Sequence, residues 1–305
     1  MEKISLKLLY SIRPIIKNVL PKKDTSTVLL DRVSAMPWLV DWCAEKIVGT
    51  YLISFPKAGR TWLRLMIGRA LQRHFELVHP DILNLIVNLD DQLARLHPNV
   101  PRIRVKHDDE PHGKIPEQLV KSKANFKYAK IIFLSRDPRD VIISTYFYFT
   151  KRPNDPHNIK AHDLSSFLRS PKGGFDTLLT YYNIWAENKN VPRDFLLVRY
   201  EDMHINPHKE LRKVLNFLSL QEISDEVISE AVEFASFSNM RNLEEKNTFN
   251  LHMQGFQQSD KESYHVRKGK VGGYREYLNE EDIEYLNSRM ENLLSKDSQD
   301  LYGYS

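Results

Sequence analysis

The sequence predicts an α/β protein with a central, mainly parallel sheet flanked by helices. Three observations carry this. Short β-branched and aromatic runs, VGTYLISF (48–55), AKIIFLS (129–135) and DFLLVRYEDM (194–203), have the length and composition of buried strands. Stretches with apolar residues at helical spacing follow at 61–75, 136–149 and 206–218. The two kinds alternate along the chain, the order that builds parallel strands joined by crossover helices.

Taken in order, residues 2–22 place Ile4, Leu6, Leu8, Leu9, Ile12, Ile15, Ile16 and Leu20 among Lys3, Lys7, Arg13 and Lys17. That pattern suits an amphipathic helix, either packed on its own domain or in peripheral contact with an anionic membrane surface. The domain reading is an N-terminal amphipathic and helical segment at 1–45 and one domain at 46–305. The first strand, 48–55, is bounded by Gly49 and Pro56. PRIRVKH (101–107) puts Ile103, Val105 and His107 on one face of a second strand. Asp137 and Pro138 are the start signal for the helix at 136–149. GGFDTLLTYYNIWAENK (173–189) reads as a helix, and 194–203 as a strand with a polar end. Further helices are expected at 222–235 and 279–294. Residues 150–172 and 242–273 have little periodicity and read as long loops of the kind that often form lids. No internal repeat is present.

Composition bounds the function. Of 305 residues, 41% are hydrophobic and 28% charged, so a core is available and wholesale disorder is not expected. The net charge of +4 fits an anionic ligand and is too small to indicate nucleic acid. Cys43 is the single cysteine, which rules out an intrachain disulfide framework and a cysteine zinc site and leans toward a cytoplasmic setting. No apolar run reaches the roughly 20 residues of a membrane span, and no secretory signal is evident.

Three polar clusters fall where strands end, after Phe55, after Leu134 and at Tyr200, which is where ligands gather in such sheets. SFPKAGRTWLRLM (54–66) is a strand–turn–helix. It offers free backbone N–H groups and the positive end of a helix dipole, an anion site suited to phosphate or sulfate. Lys57 adds a point charge, Arg60 and Thr61 add donors, and Gly59 permits close approach. The G-x-x-x-x-G-K-[ST] pattern of nucleoside-triphosphate loops is not matched. LSRDPRDVIISTY (134–146) sets Arg136 at a strand end with Ser144 on the helix that follows, a planar fork and a hydroxyl able to approach one phosphate. RKGKVGGYREYL (267–278) is a basic, glycine-rich loop.

These segments resemble the sulfotransferases that use 3′-phosphoadenosine 5′-phosphosulfate (PAPS). FPKAGRTW is similar to the family's phosphosulfate loop, usually Y-P-K-S-G-T-T-W, with Arg60 where the usual loop has threonine. Arg136 and Ser144 match its 3′-phosphate segment, and RKGKVGG its C-terminal R-K-G-x-x-G. VRYEDM (198–203) and SFSNM (236–240) resemble its [YF]-E-D-[ML] and S-F-x-x-M. The resemblance runs in the family's order from residue 54 to about 275. It implies a P-loop-like nucleotide-binding sulfotransferase fold and PAPS as donor cosubstrate, with no metal required. Lys57, Ala58, Gly59, Arg60, Thr61 and Trp62 would hold the 5′-phosphosulfate. Arg136, Ser144, Arg267, Lys268 and Gly269 would hold the 3′-phosphate. Trp62, Tyr200 and Phe237 would hold adenine, since stacking needs only a π face.

Sulfuryl transfer asks for positioning, charge neutralisation and removal of one acceptor proton. Lys57 is expected to stabilise the bridging oxygen of the leaving phosphate. His107 is the expected base, with Asp108, Asp109 and Glu110 as alternatives, because carbohydrate-directed members often use a carboxylate. The family's K-x-H is not met: Val105 stands at its lysine position, and Lys106 lies on the other strand face. HDDEPH (107–112) also invites a metal reading through His107 and His112, but the spacing is unspecific and a polar loop fits it better. The acceptor is a small molecule, lipid or carbohydrate bearing a hydroxyl or amine. Tyr146, Phe147, Tyr148 and Phe149 hint at a ring. The family's K-x-x-x-T-V-x-x-x-E dimer segment is absent, leaving a homodimer open. Two other functions fit parts of the pattern, a P-loop-type nucleotide kinase and a non-catalytic membrane-peripheral nucleotide-binding protein.

Overall fold

Among the described residues, four short strands form one parallel sheet. The computed structural model of the chain describes residues 49–89, 91–151, 163–246 and 260–304. The amphipathic stretch at 2–22 and the whole 1–45 segment lie outside the described residues, as does Cys43. The strands are β1 (Thr50–Ser54), β2 (Ile103–Lys106), β3 (Lys130–Ser135) and β4 (Asp194–Arg199), in the order β2-β1-β3-β4. β1 pairs with β2 from Thr50↔Ile103 to Ile53↔Lys106, and with β3 from Thr50↔Lys130 to Ser54↔Leu134. β3 pairs with β4 from Lys130↔Asp194 to Ser135↔Arg199. Because all pairs are parallel and in step, the carboxyl ends of β1, β2 and β3 meet at one edge.

β1 leads into α1 (Arg60–His74), followed by α2 (Ile82–Asn88) and α3 (Leu93–Leu96). α4 (Pro138–Thr150) starts where the sequence signals it: Pro138 opens the helix and the Asp137 side chain accepts from the Arg139 N–H. α5 (Leu164–Leu168), α6 (Phe175–Glu187), α7 (Tyr200–Ile205), α8 (Pro207–Phe217), α9 (Asp225–Phe234), α10 (Phe237–Glu245), α11 (Glu280–Leu293) and α12 (Lys296–Tyr302) complete the described helices. One group packs around α1, namely α2, α8 and α9, and a second around α6, namely α4, α11 and α12. Phe133 of β3 anchors the second group. Its ring meets Tyr181, Trp185 and Tyr302 at centroid distances of 6.2, 5.4 and 5.9 Å.

Two expectations need correction. The strand expected over 194–203 ends at Arg199, and 200–205 is helix α7, because Glu201 and Asp202 lie in a first turn where the helix dipole favours them. The loops expected at 150–172 and 242–273 are shorter: α5 lies within the first and the end of α10 within the second. These helices are too short to show a full period in the sequence.

After β2 the chain passes through three consecutive left-handed non-glycine residues, Asp108 (φ 44°), Asp109 (φ 66°) and Glu110 (φ 46°). Each costs about 1–2 kcal/mol in backbone strain. Two ion pairs hold the segment. Asp108 lies 2.9 Å from Lys123 with both side chains buried, and Asp109 pairs with Lys114 and accepts from the Val120 N–H at 2.7 Å. Replacing Lys123 with methionine strands a buried carboxylate. The expected loss is about 3–5 kcal/mol of unfolding free energy in urea titration, with partial recovery in the Lys123→Met/Asp108→Asn double variant.

Candidate active site

The turn after β1 is the floor of the site. It runs through left-handed backbone at Lys57 (φ 68°) and Gly59 (φ 98°) before α1 begins at Arg60. Gly59 is needed there twice over: its conformation suits glycine, and a Cβ would sit 2.5 Å from the Tyr200 ring. The Ala58 side chain is fully buried and its N–H bonds back to the Phe55 carbonyl. Ala58 therefore reaches a ligand through no side chain of its own.

A cavity of about 780 Å³ opens above this turn. Lys57, Gly59, Arg60, Thr61 and Trp62 line it on one side, with His107 from the end of β2. Arg136 and Ser144 line it from the end of β3 and from α4. Arg267, Lys268 and Gly269 close it from the C-terminal loop, and Tyr200 and Phe237 lie on its wall. The residues expected at three separated stretches thus share one cavity.

The details differ by residue. The Arg136 guanidinium donates to the Lys270 carbonyl at 2.8 Å, lies 3.6 Å from Asp140, and stacks 4.2 Å from the Tyr200 ring centroid. Tyr200 is 5% exposed and packs edge-on against Trp62 at 5.7 Å, so it forms a buried base under the site. Phe237 is 46% exposed, an open aromatic face on the cavity wall. It leans on Gly269, where a Cβ would lie 2.7 Å from the ring. Arg267 pairs with Glu262 at 2.8 Å and Lys268 with Glu276 at 2.6 Å.

His107 is fixed at three points. Its Nδ1–H donates to the Ser54 carbonyl at 3.0 Å, and its own carbonyl accepts from the Tyr181 hydroxyl at 2.9 Å. The carbonyl of Ser54 can only accept, so Nδ1 carries the proton and Nε2 carries the lone pair. The Arg60 guanidinium donates to that lone pair at 2.7 Å. Burial first, then Arg60, holds the imidazole well below its ordinary 6.5, so His107 is neutral at physiological pH. Of the alternative bases, Asp108 and Asp109 are committed to Lys123 and Lys114. Lys106 points to the other face, over the rings of Tyr51 and Phe126 at 5.0 and 4.6 Å.

Sequence reading missed several contributors. His265 stands between Lys57 and Thr61: Lys57 Nζ is 3.2 Å from its Nδ1, and Thr61 Oγ1 is 2.9 Å from its Nε2. The ammonium only donates, so Nδ1 accepts and Nε2–H donates to Thr61. Buried Glu244 holds this segment by accepting from the His265 and Val266 N–H groups at 2.6 and 2.9 Å. Asp140 does the same for Gly272 and Tyr274 at 2.8 and 2.9 Å. His204, also missed, packs on Trp62 at 4.9 Å, and Tyr148, expected as part of the aromatic run 146–149, lies 4.7 Å from the Lys57 Nζ. The one available signal was position: His265 precedes the R-K-G run by two residues.

A family model described as "Sulfotransferase domain" matches residues 49–298. The chain belongs to the sulfotransferase family. This sulfotransferase is 26% identical over 254 residues to "Cytosolic sulfotransferase 5" of Arabidopsis thaliana, covering 75% of this chain and 74% of that one. It is 28% identical over 237 residues to "Sulfotransferase 1E1" of Bos taurus, covering 74% and 77%. In fold it is similar to the crystal structure of mouse sulfotransferase SULT7A1 complexed with PAP, with a TM-score of 0.56 and 22% identity over 84% of this chain and 89% of that one. No described helix is long and apolar enough to cross a membrane.

The neutral His107 has a consequence for stability. In the unfolded chain its imidazole takes a proton near pH 6.5, while in the fold it resists protonation. The unfolded state therefore binds more protons below that pH, and stability falls as pH falls, by up to about 1.4 kcal/mol per pH unit from this one group. Denaturant titrations at pH 7, 6 and 5 are expected to show that loss, with a shallower slope in His107→Gln.

Proposed function

We propose that this sulfotransferase moves a sulfuryl group from PAPS to a hydroxyl or amine of a small-molecule acceptor, with His107 as base and Lys57 stabilising the leaving phosphate. The observation that carries the reading is the single cavity in which Lys57 and His107 stand on one side and Arg136 with the 267–269 loop on the other. One adenosine ligand with two separated anionic ends fits that division. Its 5′-phosphosulfate lies at Lys57, Thr61 and the turn amides. Its 3′-phosphate faces Arg136, Ser144 and the basic loop, and its purine lies between Trp62 and Phe237.

The reaction follows from these positions. The acceptor oxygen attacks sulfur in line, its proton passes to Nε2 of His107, and the bond from sulfur to the bridging phosphate oxygen breaks. Negative charge builds on that oxygen, where the Lys57 ammonium is placed to receive it. Two donors converge on Thr61 Oγ1, His265 Nε2–H at 2.9 Å and Arg64 Nη2 at 3.3 Å. The Thr61 hydroxyl hydrogen is thereby left to donate to a phosphate oxygen. A cytoplasmic setting rests on likeness to relatives named cytosolic. Residues 2–22, amphipathic in sequence and outside the described residues, are the segment proposed for peripheral membrane contact.

Transfer from radiolabelled PAPS across a panel of phenols, sterols, sugars and glycolipids tests the assignment. His107→Ala is expected to lower kcat by about 10²–10⁴ and Lys57→Ala by about 10²–10³, with the fold intact by circular dichroism. Arg136→Ala is expected to raise KM for PAPS. With a base held below 6.5, the rate is expected to be flat from pH 7 upward on its acid-side limb. Tighter binding of magnesium–ATP than of adenosine 3′,5′-bisphosphate (PAP) would overturn the donor assignment, and near-normal turnover in His107→Ala would overturn the base.

A further inference from the structure

Arg60 and Arg64 differ from every other arginine named at the site. Arg136 faces Asp140, Arg139 pairs with Asp137, and Arg267 pairs with Glu262. Among the described residues, neither Arg60 nor Arg64 has a carboxylate in ion-pair reach. Arg64 is 8% exposed and its Nε has no partner, and Arg60 Nη1 is buried with no partner. Both side chains line the cavity. They lie one helical turn apart on α1, so two positive charges share a desolvated space with nothing negative beside them. Burial lowers Arg60 to about 10, and burial plus the Arg60 charge lowers Arg64 to about 9, so both stay protonated at neutral pH. An uncompensated pair of buried cations is costly to keep and is relieved by a bound anion.

The resemblance gives Arg60 to the 5′-phosphosulfate of the donor, but the donor has other partners at both ends. Its 5′ end is served by Lys57, Thr61 and the turn, and its 3′ end by Arg136 and the basic loop. Arg60 instead reaches across to His107 Nε2 at 2.7 Å, which is where the acceptor's proton has to go. This is also the position at which the family's usual loop has threonine, a side chain too short to make that contact.

We propose that the acceptor carries an oxyanion, of carboxylate type, beside its nucleophilic hydroxyl, and that Arg60 and Arg64 receive it; this rests on the donor and base assignment above. The same contact explains how the base is released. With no acceptor, the Arg60 guanidinium occupies the lone pair that must accept the proton. An acceptor oxyanion offers Arg60 a bidentate partner and draws the guanidinium away from Nε2. The hydroxyl then takes its place. A neutral alcohol leaves Arg60 on the imidazole.

The test uses the full chain saturated with PAP and a panel of phenols and aliphatic alcohols, each as a carboxylate and as its methyl ester, titrated by calorimetry. Binding of PAP itself is measured first, so failure of the donor assignment is seen separately. The expected result is at least tenfold tighter binding of one or more carboxylates over their esters. Arg60→Met and Arg64→Met each bring that ratio to within threefold, and Arg60→Lys keeps part of it. Equal affinity of acid and ester across the panel, no binding of either form, or a ratio unchanged in the methionine variants overturns the proposal. Should a methionine variant fail to fold, Arg60→Gln and Arg64→Gln replace it under the same criterion.

Discussion

The whole site depends on one constraint: the chain must leave β1 through a turn whose backbone is left-handed at Lys57 and Gly59. That path aims the start of α1 into the cavity, where Lys57 and Thr61 meet His265 and Arg60 meets His107. Tyr200 fills the space a Cβ at Gly59 would need, so the end of β4 and the turn after β1 are packed as one unit. The parallel sheet supplies the rest. With β2 and β3 in step on either side of β1, His107 and Arg136 arrive beside the turn from opposite flanks, as their registers require. A sheet with one antiparallel strand among these three would send one of them to the far edge.

Charge has to be held in this space before any ligand arrives, and two buried carboxylates organise it. Asp140 and Glu244 each accept two backbone N–H groups of the 265–274 stretch. They fix where the basic loop crosses the cavity, while Glu262 and Glu276 pair with Arg267 and Lys268 at its rim. Hydrogen bonds from backbone N–H to carboxylate are strong and directional. The loop is therefore positioned by its main chain, leaving its cationic side chains to pair separately with Glu262 and Glu276.

Much of this architecture was legible in the sequence because strand and helix periods are local. β1, β2 and β3 lie within the runs read as strands, and α4 begins at Pro138, directly after its Asp137 cap. Two of the motif segments, 54–66 and 134–146, were legible as chemistry because each joins a strand end to charged residues. What stayed hidden is long-range or short-period. α7 looked like the end of a strand because RYEDM is too brief to show a helical repeat. His265 shows no pattern of its own, and its role comes from a contact with Lys57 across 208 positions in the chain. The absence of a counter-ion at Arg60 and Arg64 was hidden as well. The sequence places Asp108, Asp109 and Glu110 directly after the candidate base, and only folding turns the two aspartates toward Lys123 and Lys114.

That turning away also bears on His107, the proposed base. Among the described strands β2 lies at the edge, and three left-handed residues follow His107 directly. Aspartate tolerates this backbone better than most residues, and the two lysines hold it in place. The ring is then tied to β1 through Ser54, while its main chain is tied to α6 through Tyr181. A ring pinned in this way has little orientational freedom to lose, and its tautomer is the one the proposed base would need. The partner at Nε2 is of a different kind: a guanidinium at the end of an unbranched side chain, with one nitrogen on the ring and another without a bond. Of the two, the arginine is the less constrained, so on the proposed reading access to His107 Nε2 turns on Arg60 rather than on any rearrangement of the histidine.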